Sequence, residues 1–310
     1  MISVFIPTKN EDQDLPGCLE SVSWSDDVHV FDSGSTDATQ AVAERAGAQF
    51  VLRASGSKPE LFGGNEAEHK NWALANLPFK HRWVLHLDAD ERVSPELAVN
   101  LRQAALCPGD CVAFRVRRRD FWGRTWLKHV QASAYYLRLF RPEKMRYERL
   151  INPVSIPQGP VGELAGFLDH FPFSKGMTHW LNRHNSYSTL EAQQILRNRA
   201  ANQPFNVSRA FFAKDVTERR FHQKEFFYRL PARPLLKFLM LYFGKAGFLD
   251  GLAGFQYATL QSIYEYLIVL KTKELAEGKV APQKARQTVS FGKPTSTSLE
   301  NLHANTRTHD

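Results

Sequence analysis

The sequence is poor in cysteine, with three in 310 residues: Cys18, Cys107 and Cys111. An odd number of cysteines at irregular spacing does not form the disulfide framework of a small secreted domain, so free thiols in a reducing cytoplasm are expected. Cys107 and Cys111 could also be half of a zinc site. No second Cys or His pair follows them at a suitable distance, which disfavours that interpretation.

Long hydrophobic runs are also missing. A membrane-spanning helix needs about 20 apolar residues, and no window of the sequence supplies them. The first apolar run, Ile2 to Ile6, is short and is followed by Pro7 and Lys9, unlike a secretory signal. No internal repeat is present. A globular chain without a spanning segment is therefore expected.

The charge is unevenly distributed along the chain. The formal net charge is +8, but residues 1–110 carry 9 basic and 17 acidic side chains, and residues 111–310 carry 31 and 15. The first half is therefore acidic by 8 charges and the second basic by 16. An acidic half suits a metal site, and a basic half suits phosphates, nucleic acid or anionic lipid.

The first 110 residues alternate between strand-like and helix-like segments, which predicts βαβ units and a largely parallel sheet. The expected strands are Ile2–Ile6, Val28–Phe31, Gln49–Leu52 and Trp83–Leu87, and the expected helices are Leu15–Val22, Ala38–Ala46, Glu66–Asn76 and one that Ser94 caps. After residue 110 the pattern is less regular, with strands at Val112–Val116 and Tyr135–Phe140 and a helix at Asn182–Asn198. We expect residues 201–279 to form a basic helical extension and residues 280–310 a disordered tail.

Acidic residues follow two of these strands. Asp88 and Asp90 come after the strand that ends at Leu87, and ligands bind beyond the carboxyl ends of strands in open α/β sheets. Carboxylates at i and i+2 can both reach a divalent cation, and we expect Asp90 to ligate it directly, with Asp88 on the metal or a ribose. The alternative is a polar loop that opens a helix. Asp32 and Gly34 follow the second strand, where they suit either a nucleotide or an ordinary capped turn.

Two further groups of residues converge on the same edge of the predicted sheet. The loop from Thr8 to Glu11 follows the first strand, and Lys70 on the third helix could reach a phosphate or lie on a solvated helix face. Three loops that open on one edge are more specific than any one of them alone.

The order and spacing of these segments resemble family 2 glycosyltransferases of the GT-A fold, over roughly the first 110 residues. The resemblance implies a Rossmann-like, mostly parallel sheet with a helical C-terminal extension, a nucleotide-sugar donor (most often a UDP-sugar), Mn²⁺ or Mg²⁺ and an inverting displacement. Residues 1–110 would bind the donor and residues 111–200 the acceptor. The expected donor-binding residues are Pro7, Thr8, Asn10, Glu11, Asp32, Gly34, Lys70, Asn71, Asp88 and Ala89.

The second half resembles bacterial enzymes of lipopolysaccharide-core and exopolysaccharide assembly, through segments such as Arg138–Arg141, Gly159–Leu164 and Trp180–Tyr187. Many such relatives carry a His-Glu pair where this chain reads Leu150-Ile151-Asn152-Pro153, so their base cannot be transferred. An inverting transfer still needs a base near the acceptor hydroxyl. The rival candidates are Glu163, Asp169 and Glu191, with Glu163 preferred because it follows a Gly-Pro-Val-Gly loop.

His170 is expected as a third metal ligand, or alternatively as a packed or capping histidine. Trp180, His184 and Asn185 are expected at the acceptor site, although a solvated helix face is an alternative for His184 and Asn185.

Two basic segments suggest partners. Residues 229–243 combine cations with a dense apolar cluster, which predicts a helix at an anionic membrane surface, with core packing as the alternative. The helical spacing of Leu260 to Ile268 predicts a packing surface, either against that segment or against a second copy of the chain in a homo-oligomer. Residues 115–126 mix arginine with aromatics, as in single-stranded nucleic-acid binding, but phosphates on the acceptor or a salt-bridged loop explain them equally well.

The sequence therefore predicts a metal-dependent inverting glycosyltransferase at the inner face of the cytoplasmic membrane, acting on a lipid-linked saccharide, with no nucleic acid as partner. A nucleotidyltransferase that makes sugar nucleotides is a second hypothesis. It is disfavoured because Pro7 to Glu11 lacks a glycine-rich triphosphate loop. A non-catalytic membrane-surface module is the third, and the acidic loops argue against it.

Overall fold

The computed structural model describes residues 1–53, 66–131, 133–148, 153–201, 205–213 and 216–278. The expected disordered tail, residues 280–310, and the segment Leu150–Asn152 lie outside these ranges. The strands are β1 Ile2–Thr8, β2 Val28–Asp32, β3 Gln49–Leu52, β4 Trp83–His86, β5 Glu91–Val93, β6 Ala113–Trp122, β7 Thr125–Trp126, β8 Tyr135–Phe140, β9 Met145–Glu148, β10 Val154–Pro157 and β11 Val161–His170.

The helices are α1 Leu15–Ser21, α2 Thr39–Arg45, α3 Glu66–Asn76, α4 Pro95–Leu106, α5 Gly176–Ala200, α6 Val207–Phe212, α7 Val216–Phe227, α8 Arg233–Leu239 and α9 Gly251–Ala276. A π-helical turn, Met240–Gly244, continues α8, and a 3₁₀ turn, Gly247–Asp250, precedes α9. At the start of α4, the Ser94 side chain accepts a hydrogen bond from the Leu97 amide and Pro95 takes the first helical position, as the sequence predicts.

The main sheet has the strand order β3-β2-β1-β4-β8-β6-β11-β5, and β7 pairs with β6. The strands β3, β2, β1 and β4 are mutually parallel, as expected from the βαβ pattern. The second half is mixed, because β8 runs antiparallel to β4 and β6 while β11 is parallel to β6. The run of four parallel neighbours is therefore built by residues 1–110, and the rest of the sheet is mixed.

Several elements are longer than the sequence pattern predicts. β1 continues through Pro7 to Thr8, because the Thr8 carbonyl accepts a hydrogen bond from the Ser33 amide (3.0 Å) and keeps the strand paired. β6 extends from Ala113 to Trp122, where alternating arginines hide the apolar pattern of a strand. α5 begins at Gly176, six residues before the expected start.

The C-terminal helices are pinned to the sheet half of the molecule by a buried carboxylate. Asp250 accepts hydrogen bonds from the Val130 amide (2.8 Å) and from the His129 amide and Nδ1 (2.9 and 2.7 Å). Leu127, Val130, Leu241 and Ala258 pack into an apolar cluster beside it. Within the described ranges no single helix is long and apolar enough to cross a membrane; Arg233–Gly244 and Gly247–Ala276 meet that requirement only as a pair bent by 73°.

Candidate active site

The acidic segment lies where the parallel strands end. Thr8 is paired with Asp32 and Phe5 with His86, so the residues that follow β1, β2 and β4 emerge at one edge of the sheet. The Glu91 amide donates to the Asp88 carbonyl (3.0 Å) and closes a tight turn across Ala89 and Asp90. A cavity of about 380 Å³ opens above this turn.

The walls of the cavity come from both halves of the chain. Besides the strand-end loops, the lining includes side chains from α3, β6, α5 and α9. Phe173 and Trp180 provide its large apolar surfaces. The described lining residues are Pro7, Glu11, Glu66, Lys70, Asp88, Ala89, Asp90, Arg118, Asp120, Gln131, His170, Pro172, Phe173, Trp180, Arg183, His184, Tyr187, Tyr257 and Gln261.

Asp90 and His170 face each other in this cavity. His170 Nε2 lies 3.3 Å from Asp90 Oδ2, and His170 Nδ1 lies 2.5 Å from Asp120 Oδ1. Burial disfavours the charged imidazole, but the charge of Asp90 and the hydrogen bonds with Asp120 and Asp90 outweigh it and raise the pKa of His170 to about 9. The same negative field attracts a divalent cation.

These side chains fit a divalent cation as ligands, provided that the cation displaces the Nε2 proton of His170. A carboxylate and an imidazole suit Mn²⁺. Asp120 contacts the other ring nitrogen of His170 and so orients the ring, as carboxylates do beside metal-bound histidines. Among the described residues, no three His, Cys, Asp or Glu side chains form a ready-made metal cluster. Asp90 and His170 would therefore hold a cation whose other ligands are water and phosphate oxygens.

The Asp88 carboxylate is held by an arginine of β8. Arg138 Nη2 donates to Asp88 Oδ2 (2.7 Å) and to Glu91 Oε1 (2.5 Å). Desolvation opposes the charge on Asp88, but the positive charge of Arg138 prevails and holds the pKa of Asp88 well below its usual range. Asp88 still lines the cavity with Asp90 and His170, so its expected place on the metal or a ribose stays a prediction.

Three cationic side chains line the cavity together with the acids. Lys70, which is 7% exposed, pairs with Glu66 (2.9 Å) one turn earlier on α3. Arg118 lies between Asp120 (3.2 Å) and Glu91 (3.8 Å). Arg183 lines the cavity from α5, and its Nε is buried without a hydrogen-bond partner among the described residues. Together they form a basic wall suited to a diphosphate.

Half of the expected donor-binding residues line the cavity: Pro7, Glu11, Lys70, Asp88 and Ala89. Glu11 forms an ion pair with Lys175 (2.7 Å), and burial nevertheless raises the pKa of Glu11 to about 7. This carboxylate is held at the mouth of the cavity by a cation that comes from the start of α5.

The other expected donor-binding residues shape the loops instead: Thr8, Asn10, Asp32, Gly34 and Asn71. Asp32 is 1% exposed, and its oxygens accept hydrogen bonds from Thr8 Oγ1, the Gly34 and Ser35 amides and Ser35 Oγ. These protein donors fix the Asp32 carboxylate in the loop, and its expected contact with the nucleotide stays a prediction.

The remaining residues of this group have similar structural roles. Gly34 adopts φ +91°, which permits the turn around Asp32. Asn10 accepts a hydrogen bond from the Thr36 amide (2.8 Å) and so joins the two strand-end loops. Asn71 exchanges two hydrogen bonds with the backbone of Tyr147 (2.7 and 2.8 Å) and ties α3 to β9.

None of the three candidate bases lines the described part of the cavity. Glu163 lies exposed on β11 opposite Arg115, as a strand residue rather than a loop residue that projects into the cleft. Asp169 forms a bidentate ion pair with Arg119, on the opposite face of β11 from His170. Glu191 accepts hydrogen bonds from Lys224 and Tyr228 in the helical extension. The structure thus places none of the three among the described residues that line the cavity, and the identity of the base stays open.

Two of the three expected acceptor residues line the cavity. Trp180 is 3% exposed and stacks on the ring of His184, with 3.6 Å between ring centroids. Asn185 is not among the described lining residues; its carbonyl and its Oδ1 accept hydrogen bonds from Lys271 of α9, which makes a contact between the two helices.

The cavity-lining residues of β6 and α9 were not predicted from the sequence. Arg118 and Asp120 share a face of β6, and their i, i+2 spacing in the basic segment 115–126 was the available signal. Tyr257 and Gln261 are one helical turn apart on α9, which the sequence placed in a membrane or oligomer extension. The extension therefore completes the cavity.

The family model for "Glycosyl transferase family 2" matches residues 3–162, which is more than half of the chain. The protein is thus a glycosyltransferase, and its chain belongs to glycosyl transferase family 2. It adopts the GT-A fold expected from the sequence, with a mixed sheet and a helical C-terminal part.

Among known proteins, the lipopolysaccharide core biosynthesis glycosyltransferase LpsC of Rhizobium meliloti is 28% identical over 91% of this chain and 95% of its own length. An uncharacterized glycosyltransferase of Rickettsia conorii is 40% identical over 31% of each chain. The structure of Staphylococcus aureus TarS 1–349 is 14% identical, covers 89% of this chain and 91% of its own, and has a TM-score of 0.40.

Proposed function

We propose that this glycosyltransferase moves a sugar, with inversion, from a nucleotide-sugar donor to a lipid-linked saccharide in lipopolysaccharide or exopolysaccharide assembly. The observation that carries the proposal is the pairing of Asp90 with His170 in a cavity with a basic wall, at the carboxyl ends of the parallel strands. The similarity to LpsC over 91% of the chain supports the polysaccharide class of the acceptor.

Different side chains of the cavity would bind the cation and the diphosphate. Asp90 and His170 would hold Mn²⁺ or Mg²⁺, which when bound neutralises the charge that develops on the departing diphosphate. Lys70, Arg118 and Arg183 line the same cavity and would bind the diphosphate oxygens. A UDP-sugar is the donor proposed, from the family resemblance.

The acceptor side is proposed from the aromatic wall. Trp180 and Tyr187 on α5 and Tyr257 on α9 line the cavity, and aromatic rings of this kind provide flat surfaces for sugar rings. Because α9 supplies part of this wall, the acceptor would lie between the sheet half and the helical extension.

Membrane contact is proposed for an apolar C-terminal surface, defined by Leu235, Leu239, Met240, Phe243, Phe248, Leu249, Leu252 and Phe255. These side chains are between 40% and 70% exposed. Ring contacts of Tyr242 with Phe248 and Phe255 connect the α8 part to the α9 part. Lys237 and Lys245 lie in the same segment and suit anionic headgroups. The protein would thus act as a peripheral protein at the inner face of the cytoplasmic membrane.

The direct experiment is a transfer assay with a panel of nucleotide sugars, Mn²⁺ or EDTA, and acceptor saccharides with or without their lipid. We expect metal-dependent release of a nucleoside diphosphate and a product whose anomeric configuration is opposite to that of the donor. Retained configuration would contradict the inverting reaction. Pyrophosphate release from a nucleoside triphosphate and a sugar phosphate would instead establish a nucleotidyltransferase.

A further inference from the structure

A second pocket lies in the helical extension, away from the active-site cavity. It has a volume of about 750 Å³ and lies between the end of α5, the turn before α8 and the last turns of α9. Its described lining residues include none of those that line the active-site cavity. The glycosyltransferase reaction proposed above gives this pocket no role.

A buried arginine forms part of the pocket lining. Arg233 is 6% exposed; its Nε lies 3.3 Å from Glu265 Oε1, and its guanidinium lies over the ring of Tyr228. Its Nη1 is buried and has no hydrogen-bond partner among the described residues. Glu265 Oε1 is likewise buried without a hydrogen-bond partner among the described residues, so this ion pair leaves one donor and one acceptor unsatisfied, which is costly.

Two more cations and an apolar wall surround Arg233. Arg199 and Lys273 line the pocket from α5 and α9, and both side chains are exposed. The turn before α8 contributes apolar side chains, among them Leu230 and Leu235. Leu235 also belongs to the apolar C-terminal surface, so the basic pocket opens onto that surface. Cations beside an exposed apolar surface match an amphiphile with an anionic head.

We propose that this pocket binds the phosphate headgroup of an anionic membrane lipid, whose acyl chains lie along the apolar C-terminal surface. Arg199 and Lys273 would pair with the phosphate from the rim, and Arg233 would add its positive charge from the pocket lining. A lipid is favoured over free phosphate because the apolar wall and the adjoining surface would remain exposed around a small anion. The proposal rests on the proposed membrane contact, but not on sugar transfer.

The test is sedimentation of the full chain with vesicles of phosphatidylcholine, with or without phosphatidylglycerol. The variant Arg199→Gln/Lys273→Gln removes the two rim cations, and the matched control Arg45→Gln/Arg102→Gln removes two exposed cations from the sheet half. Because each cation near an anionic surface contributes about fivefold to binding, the rim variant should bind roughly thirtyfold more weakly to the anionic vesicles. The control should stay within about twofold of the wild type.

A second measurement separates a lipid from a free anion. Thermal stabilisation by a water-soluble, short-chain phosphatidylglycerol is compared with stabilisation by glycerol phosphate, for the wild type and Arg233→Gln. We expect stabilisation of the wild type by the short-chain lipid only, and its loss in a folded Arg233→Gln. Equal stabilisation by glycerol phosphate would overturn the lipid assignment, and equal vesicle binding by the rim variant and the wild type would overturn the site. Neither assay uses a sugar donor, so failure of the proposed transfer reaction is detected separately.

Discussion

Arg138 is the side chain whose removal should disturb the acidic edge most. It is 5% exposed on β8 and donates to both Asp88 and Glu91. In Arg138→Met, the Glu91 carboxylate is 0% exposed, and within the described part of the chain it keeps only the Asp88 amide as a donor (3.0 Å) and Arg118 at 3.8 Å. Removing one partner of a buried ion pair costs about 3–5 kcal/mol, so we expect a loss of unfolding free energy of that size.

A double-mutant cycle identifies the cause of this loss. Glu91→Gln removes the buried charge that Arg138 neutralises, so Arg138→Met should cost at least about 2 kcal/mol less in that background. The assay is urea unfolding at neutral pH of the wild type, both single variants and the double variant. Additive costs, or a cost of Arg138→Met below about 1 kcal/mol, would refute the reasoning.

Three other predictions concern the cavity and the apolar surface. The folded-state pKa of Glu11 is about 7, above its usual 4.5, so its contribution to stability is complete below the lower value and is lost as the pH rises through the higher one. Between about pH 5 and about pH 8, the free energy of unfolding of Glu11→Gln should therefore rise by up to about 3 kcal/mol relative to that of the wild type. Urea unfolding at several pH values measures this difference, and a difference that does not change with pH would contradict the prediction. Glu163→Gln should keep transfer activity within about threefold, because Glu163 lies outside the cavity; a loss of about a hundredfold would restore it as the base. Leu249→Ser/Leu252→Ser should weaken binding to anionic vesicles at least about tenfold, whereas Leu106→Ser, which removes a leucine that is 75% exposed on α4, should not.

The strand-end loops were predictable from the sequence because their determinants are local. Ser94 and Pro95 specify the start of α4, and the apolar run before Asp88 specifies β4. Parallel strands then bring Glu11 and Asp88 to the same edge of the sheet whatever the details of packing.

The roles of individual acids were not predictable in this way. An acid after a strand can bind a ligand or close a turn, and only the folded chain shows that protein donors fix Asp32 in its loop. The position of Glu163 depends on strand pairing. Pairing with β6 extends β11 back over a segment whose glycines and proline predict a loop. Tyr257 reaches the cavity through tertiary packing of α9, for which the sequence carries no local signal.

The central claim is that Asp90 and His170 bind a divalent cation that holds a nucleoside diphosphate in the cavity. The most direct test is isothermal titration of UDP into the wild type and Asp90→Asn, each with Mn²⁺ and with EDTA. We predict binding by the wild type with Mn²⁺, weakened at least about tenfold by EDTA and by Asp90→Asn alike. Equal UDP affinity in all four titrations would contradict the account.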